Sequence, residues 1–149
     1  MADGPKGIPS RLSVVTLGAH DVAALRAFYE SLGWKSSTPP GDFAAFPLGG
    51  AVFTLYDMRT LAEEAGDQAV PPASAFRGVT LAINVDAIED VDAAIDAAVA
   101  AGATRLAGPV TRDWGGRSGY FADPEGNVWE VAWLPDATFD DRGALIWPY

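Results

Sequence analysis

The sequence predicts an α+β chain made of two β-α-β-β-β modules in tandem. Three observations predict it. Two amphipathic helical stretches each follow a short apolar run and each stop at a glycine, Gly33 and Gly102. Each is followed by three short strand candidates set apart by turn residues. The landmarks also repeat, with Asp21 and Asp90 lying 69 residues apart, as do Gly33 and Gly102. At 149 residues, with 49% apolar and 20% charged side chains, the chain has the make-up of one ordinary globular domain that buries its own core.

Residues 1–10 contain Gly4, Pro5, Gly7 and Pro9 and read as a flexible leader without the apolar stretch of a secretion signal. The first module spans 11–57. Leu12 to Leu17 is a buried strand bounded by Gly18. Asp21 then caps a helix whose Leu25, Phe28, Tyr29 and Leu32 share one face. Strands are expected at Trp34–Ser36, at Phe43–Phe46 after Pro39-Pro40-Gly41, and at Ala51–Tyr56 after Gly49-Gly50.

Residues 58–77 form a connector with a short helical piece, Leu61–Ala65, ahead of Gly66, Pro71 and Pro72. The second module spans 78–135. Val79–Val85 is its first strand, and Glu89–Ala101 is a helix with Val91, Ile95 and Val99 in its stripe and acidic residues on a solvated face. Strands follow at Thr104–Ala107, Ser118–Ala122 and Val128–Trp133, the last two joined by Asp123-Pro124-Glu125-Gly126-Asn127. Pro124 and Gly126 explain that segment as a turn. In the tail, 136–149, Asp136–Asp141 is surface, whereas Leu145, Ile146, Trp147 and Tyr149 are apolar enough to dock on the body or on a partner subunit.

Composition removes whole classes of chemistry. Without cysteine there is no disulfide, thiolate metal site or thiol nucleophile, and with one histidine, His20, a single chain supplies no two-imidazole site. A site pooled across a symmetric dimer would be the exception. The formal charge of −10 and pI near 4.3 repel a phosphate backbone, so nucleic acid is not an expected partner. No apolar run reaches the roughly 18 residues of a membrane span, which makes a cytoplasmic protein the expectation.

Three segments, AHDVAALRAFYESLGW, GVTLAINVD and GYFADPEGNVWEVAW, resemble the glyoxalase, bleomycin-resistance and extradiol-dioxygenase superfamily, the vicinal oxygen chelate proteins. The resemblance runs from Arg11 to Pro135. It implies modules whose mixed sheets curl around a cavity, usually in a homodimer, and it covers metal-dependent lyases, epimerases, dioxygenases and thiol transferases as well as metal-free drug-sequestering proteins. In the metal-dependent members, ligands stand on the first and last strands of each module. Here those positions fall on Val14, Thr54, Thr80 and Glu130, so a single carboxylate remains where about three protein ligands are needed. No cofactor and no divalent metal are expected.

Strand alternation sets Val128, Glu130 and Ala132 on one face and the core residues Trp129, Val131 and Trp133 on the other. Across the hairpin, Tyr120 should pair near Glu130 and Ala122 near Val128. The same parity groups Val52, Thr54 and Tyr56, with Thr16 beside Val14. Glu130 is a candidate acid or base, or else pairs with Arg117 or sits at a solvated mouth. Trp114-Gly115-Gly116 either folds over a ligand or buries its indole at a seam. Arg112 and Arg117 either bind an anion or serve solubility, and His20 reads as a helix-entry residue.

The expected function is binding of a small hydrophobic or aromatic molecule between the modules without metal, for sequestration or resistance. Its candidate ligand-binding residues are Thr54, Tyr56, Thr80, Trp114, Tyr120 and Glu130. The alternative is a lyase, isomerase or dioxygenase-like enzyme with Glu130 as acid/base or as the one retained metal-ligand position.

Overall fold

The computed structural model describes residues 7–148. Most of the expected leader, and Tyr149 of the tail, lie outside them. Strand β1 (Val14–Ala19) leads into helix α1 (Val22–Ser31), and Asp21 caps that helix by accepting the Ala24 amide at 2.9 Å. Strands β2 (Phe43–Pro47) and β3 (Val52–Asp57) complete a three-stranded sheet of order β1-β3-β2, with β1 parallel and β2 antiparallel to β3.

The strand expected at Trp34–Ser36 does not form. One backbone bond reaches β2, from the Ser37 amide to Ala45 O at 2.8 Å, and the return bond from Ala45 N goes to the Thr38 hydroxyl instead. Pro39 and Pro40 follow at once and have no amide hydrogen to extend a ladder. Trp34 instead stacks on Tyr29, with ring centroids 5.4 Å apart.

Helix α2 (Met58–Glu64) starts directly after β3, earlier than expected, because Asp57 caps it through the amide of Thr60. The second module contains β4 (Thr80–Asn84), α3 (Glu89–Ala101), β5 (Thr104–Thr111), β6 (Arg117–Ala122) and β7 (Val128–Trp133), in sheet order β4-β7-β6-β5. β5 runs past its expected end, continuing through two register shifts.

The buried stripe of α3 is Val91, Ile95 and Ala98, while Val99 remains 38% exposed. At about 3.6 residues per turn, position i+7 comes back to within about 20° of position i, and i+8 overshoots by about 80°. Two acids of this helix are not simply solvated. Asp92 receives a two-pronged bond from Arg117 at 2.7 and 2.8 Å, and Asp96 receives Arg105 at 2.6 Å. Arg117 is thereby committed to α3 and not to Glu130. The guanidinium hydrogen bond is the main reason the Asp92 carboxyl lies below its ordinary value of 3.8.

One core joins the modules. Tyr29 of α1, fully buried, meets Phe53 of β3 and Trp129 of β7, with ring centroids 4.8 and 5.9 Å away. Its hydroxyl donates to Asp123 at 2.5 Å and accepts the Trp129 indole N–H at 2.9 Å. Burial, followed by the neighbouring Asp123 charge, holds that phenol well above its ordinary pKa.

The 123–127 segment is a turn, with Gly126 at φ 83°, and it also clamps the halves together. Asp123 accepts the amides of Glu125 and Asn127 and the Asn127 side chain, all within 2.9 Å. Glu125 reaches across to accept the amides of His20 and Asp21 at 2.6 and 3.0 Å, at the entrance to α1.

The tail folds into a hairpin of β8 (Thr138–Phe139) and β9 (Leu145–Ile146). It rests on the β2–β3 turn, where a Cβ on Gly49 would come within 2.6 Å of Arg142 O and 2.8 Å of Gly143 C. Only glycine permits that approach. Of the residues expected to dock, Leu145 reaches the body beside the hairpin tip, whereas Ile146 and Trp147 remain 51% and 65% exposed.

Candidate functional site

Each sheet turns one face toward the core and the other away from it, because successive strand residues point opposite ways. Phe53 and Leu55 of β3, and Trp129 and Val131 of β7, belong to the core. Val52, Thr54 and Tyr56, and likewise Val128, Glu130 and Ala132, then occupy the opposite faces. The expected pairings of Tyr120 with Glu130 and of Ala122 with Val128 are the register observed.

Tyr120 Oη donates to Glu130 Oε2 at 2.5 Å. That hydrogen bond is the main reason the Tyr120 hydroxyl is shifted above its ordinary value, with partial burial and the Glu130 charge adding to it and Arg112 opposing. Arg112 Nε donates to Ser118 Oγ at 2.7 Å. A basic, a hydroxylic, a phenolic and an acidic group are thus gathered on one face of the second sheet.

The other candidates stand apart from this cluster. Thr54 is buried, its Oγ1 2.7 Å from Thr16 Oγ1 and 3.3 Å from Val15 O. Tyr56 donates to Glu64 at 2.9 Å and packs edge-on against Phe43. Thr80 is exposed at the start of β4. Trp114 is 49% exposed, and its ring lies directly on Gly116, where a Cβ would collide with it.

A metal fits these residues poorly. The cross-strand neighbours of Thr54 are Thr16 and Ala45 and those of Glu130 are Ala82 and Tyr120, so one carboxylate, two threonine hydroxyls and one phenol are what these rows supply. Among the described residues no group of three or more His, Cys, Asp and Glu side chains is placed to hold an ion.

β1 and β4 are edge strands of their sheets, and two cavities lie along the seam between them, with Val15 and Leu81 common to both. The larger, about 490 Å³, has Leu12, Trp34, Phe53, Ile83 and Trp129 in its wall, with Asn84 also contributing to it. The β2–β3 turn and Phe139, Ala144 and Leu145 of the tail hairpin add to its wall. The smaller, about 340 Å³, lies toward the other end of β1 among Leu17, Met58, Leu61, Val79 and Val128, with Arg77 in its wall. None of the six sequence candidates lines either cavity. The one available signal was the apolar tail, whose docking places its side chains in the wall of the larger.

The chain matches the glyoxalase/bleomycin resistance protein/dioxygenase superfamily over residues 11–131. Among solved structures it is similar to a glyoxalase-related enzyme from Fulvimarina pelagi, at 30% identity and a TM-score of 0.85 over 95% of this chain and 100% of that one. It is also similar to a glyoxalase/bleomycin resistance protein/dioxygenase family enzyme from Burkholderia phytofirmans PsJN, at 25% identity and TM-score 0.74, covering 84% of this chain and 99% of that one. A glyoxalase/bleomycin resistance protein/dioxygenase from Nocardioides is similar at 25% identity and TM-score 0.72, covering 89% and 87%. No curated protein matches the chain.

Proposed function

The chain belongs to the glyoxalase/bleomycin resistance protein/dioxygenase superfamily, and from that premise we propose that it binds a small hydrophobic or aromatic molecule in the larger seam cavity, without a metal. The observation that carries this reading is the wall of that cavity. An open cavity of about 490 Å³ is lined chiefly by aliphatic and aromatic residues from both modules and the tail, with Asn84 in the lining as a candidate polar anchor. Such a site gains affinity from apolar burial and ring stacking, and one amide orients the ligand.

The open sheet faces, including Val14 at 49% exposure and the exposed Thr16, Thr80 and Ala82, are suited to a homodimer in which a second copy covers them. The composition and the lack, among the described residues, of any helix long and apolar enough to cross a membrane support a cytoplasmic location.

The test is a fluorescence titration with the neutral probe N-phenyl-1-naphthylamine, alongside native mass spectrometry for subunit count, metal and any co-purified molecule. Binding should weaken at least tenfold in Ala144→Trp, which sets an indole in the wall of the cavity. Undiminished probe affinity in that variant refutes the assignment.

The Tyr120–Glu130 pair favours a second reading, a lyase or isomerase in which Glu130 moves a proton beside the phenol. Glu130→Gln should then abolish turnover while ligand still binds, and a fully active Gln variant removes this reading.

A further inference from the structure

The tail hairpin is bonded to itself and not to the body on which it rests. In its two strands Thr138 stands opposite Ile146 and Phe139 opposite Leu145, and Asp140 organises the turn between them. The Asp140 carboxylate accepts the amides of Arg142 and Ala144, each at 2.9 Å. Its own amide donates to Ala144 O at 2.9 Å, and Gly143 N donates to Asp140 O at 3.0 Å. Among the described residues, no hydrogen bond or ion pair runs from 138–146 to the rest of the chain.

Contact alone holds the hairpin in place. Phe139, Gly143, Ala144 and Leu145 stand in the wall of the larger seam cavity, and the tip lies against the backbone of Gly49 and beside Gly50. Phe139 and Leu145 are half-buried, whereas residues 140–143 are exposed. A segment docked by a few apolar contacts, its polar groups satisfied internally, opens at a free energy well below that of global unfolding and strands no buried donor or acceptor when it does. The 123–127 turn is the opposite case, since it cannot leave α1 without breaking the bonds of Glu125 to the His20 and Asp21 amides.

A ligand seated in the larger cavity touches the hairpin and both modules at once. It therefore favours the docked hairpin over the lifted one, and by linkage the docked hairpin favours the ligand. On the reading of that cavity as the ligand site, we propose that residues 138–146 are a strap across it, which lifts as a unit to pass an apolar or aromatic ligand and is held down by that ligand once bound. The tail then sets residence time, because the ligand leaves only as often as the strap lifts.

Gly50 and Ala144 allow a direct test. A Cβ on Gly50 would lie 3.7 Å from Ala144 Cβ, inside the range of about 3.5–4.5 Å that a disulfide spans. Gly50 lies outside the positive-φ region, so it accepts a side chain, and the chain has no cysteine of its own. Gly50→Cys combined with Ala144→Cys thus gives one protein whose strap is pinned when oxidised and released when reduced.

The measurement is stopped-flow fluorescence with N-phenyl-1-naphthylamine. Oxidation should slow association and dissociation at least about tenfold relative to the reduced form of the same protein, and dithiothreitol should restore both rates. Asp140→Ala, which removes the acceptor of two hairpin amides from outside the cavity wall, should speed dissociation at least about threefold. In the parent chain, saturating probe should slow tryptic cleavage after Arg142 at least about tenfold. Equal rates in the oxidised and reduced forms, parental dissociation in Asp140→Ala, or cleavage after Arg142 that ignores the probe overturns the strap and leaves the cavity as the ligand site. Absence of probe binding to both the parent and the reduced variant removes the ligand site, and the strap with it.

Discussion

Replacing Tyr29 by Phe removes one oxygen from the centre of the molecule and tests whether the two modules are clamped by polar bonds or by apolar packing alone. The ring stays, so its contacts with Phe53, Trp34 and Trp129 are kept. Two hydrogen bonds go, the donation to Asp123 at 2.5 Å and the acceptance from Trp129 Nε1 at 2.9 Å. Asp123 retains its bonds from two backbone amides and from Asn127, so its loss is about one charge-assisted bond, roughly 1.5–3 kcal/mol. The Trp129 N–H becomes a buried donor without an acceptor, roughly 1–3 kcal/mol. Because the two losses share one hydroxyl and the site can relax, we expect about 3 kcal/mol in all. At roughly 2–4 °C per kcal/mol for a chain of this size, Tm should fall by about 6–12 °C. Urea denaturation should show a lower midpoint at unchanged slope. Combining Tyr29→Phe with Asp123→Asn should cost less than the sum of the single variants, since both break the same bond. A Tyr29→Phe protein within about 0.5 kcal/mol of the parent would refute the polar clamp.

Further expectations concern acid stability, the tail and the second helix. Asp57, Asp92 and Asp140 have folded-state pKa values below 3.8, held there chiefly by the Thr60 amide, the Arg117 guanidinium and the Ala144 amide respectively. As pH falls through the ordinary carboxylate range the unfolded chain takes up protons first, so stability present above about pH 4 is lost progressively below it. Asp92→Asn should flatten that acid limb in urea melts between pH 5 and 2, and an unchanged limb contradicts the assignment. Gly49→Ala places a Cβ against Arg142 O and should lift the tail hairpin, at about 1–3 kcal/mol. Faster tryptic cleavage after Arg142 reports the lifting, and parental resistance argues against it. Ile95→Ala should cost about 2–5 kcal/mol and Val99→Ala under about 1 kcal/mol, because Ile95 is fully buried and Val99 faces partly outward. Equal losses in chemical denaturation would contradict the stripe observed.

Much of the open sheet face was legible before folding. Tyr120 and Glu130 are joined by a short turn, so alternation and turn length alone put them opposite each other. Asp21 and Gly33 mark their helix ends by local chemistry. At Trp34–Ser36 an apolar residue beside two serines looks extended in sequence, whereas what decides a strand is a partner with amides to exchange, and Pro39-Pro40 cut that exchange short. Counting alone hardly separates i+8 (Val99) from i+7 (Ala98), and packing of α3 against β6 and β7 selects the latter.

The sequence by itself determined the module order, the helix caps, the alternation that sets Glu130 against Trp129, and the paucity of ligands for a metal. All of these depend on residues within one element or on two elements joined by a turn. Only the tertiary structure decided where the cavities lie, that Glu125 holds the entrance of α1 from more than 100 residues away, that the tail lines the larger cavity, and that Arg77 keeps one guanidinium edge unpaired among the described residues. Periodicity reports which way a side chain points from its own backbone. It carries no information about which distant surface arrives opposite it, and a cavity or an unpaired charge is a property of that meeting.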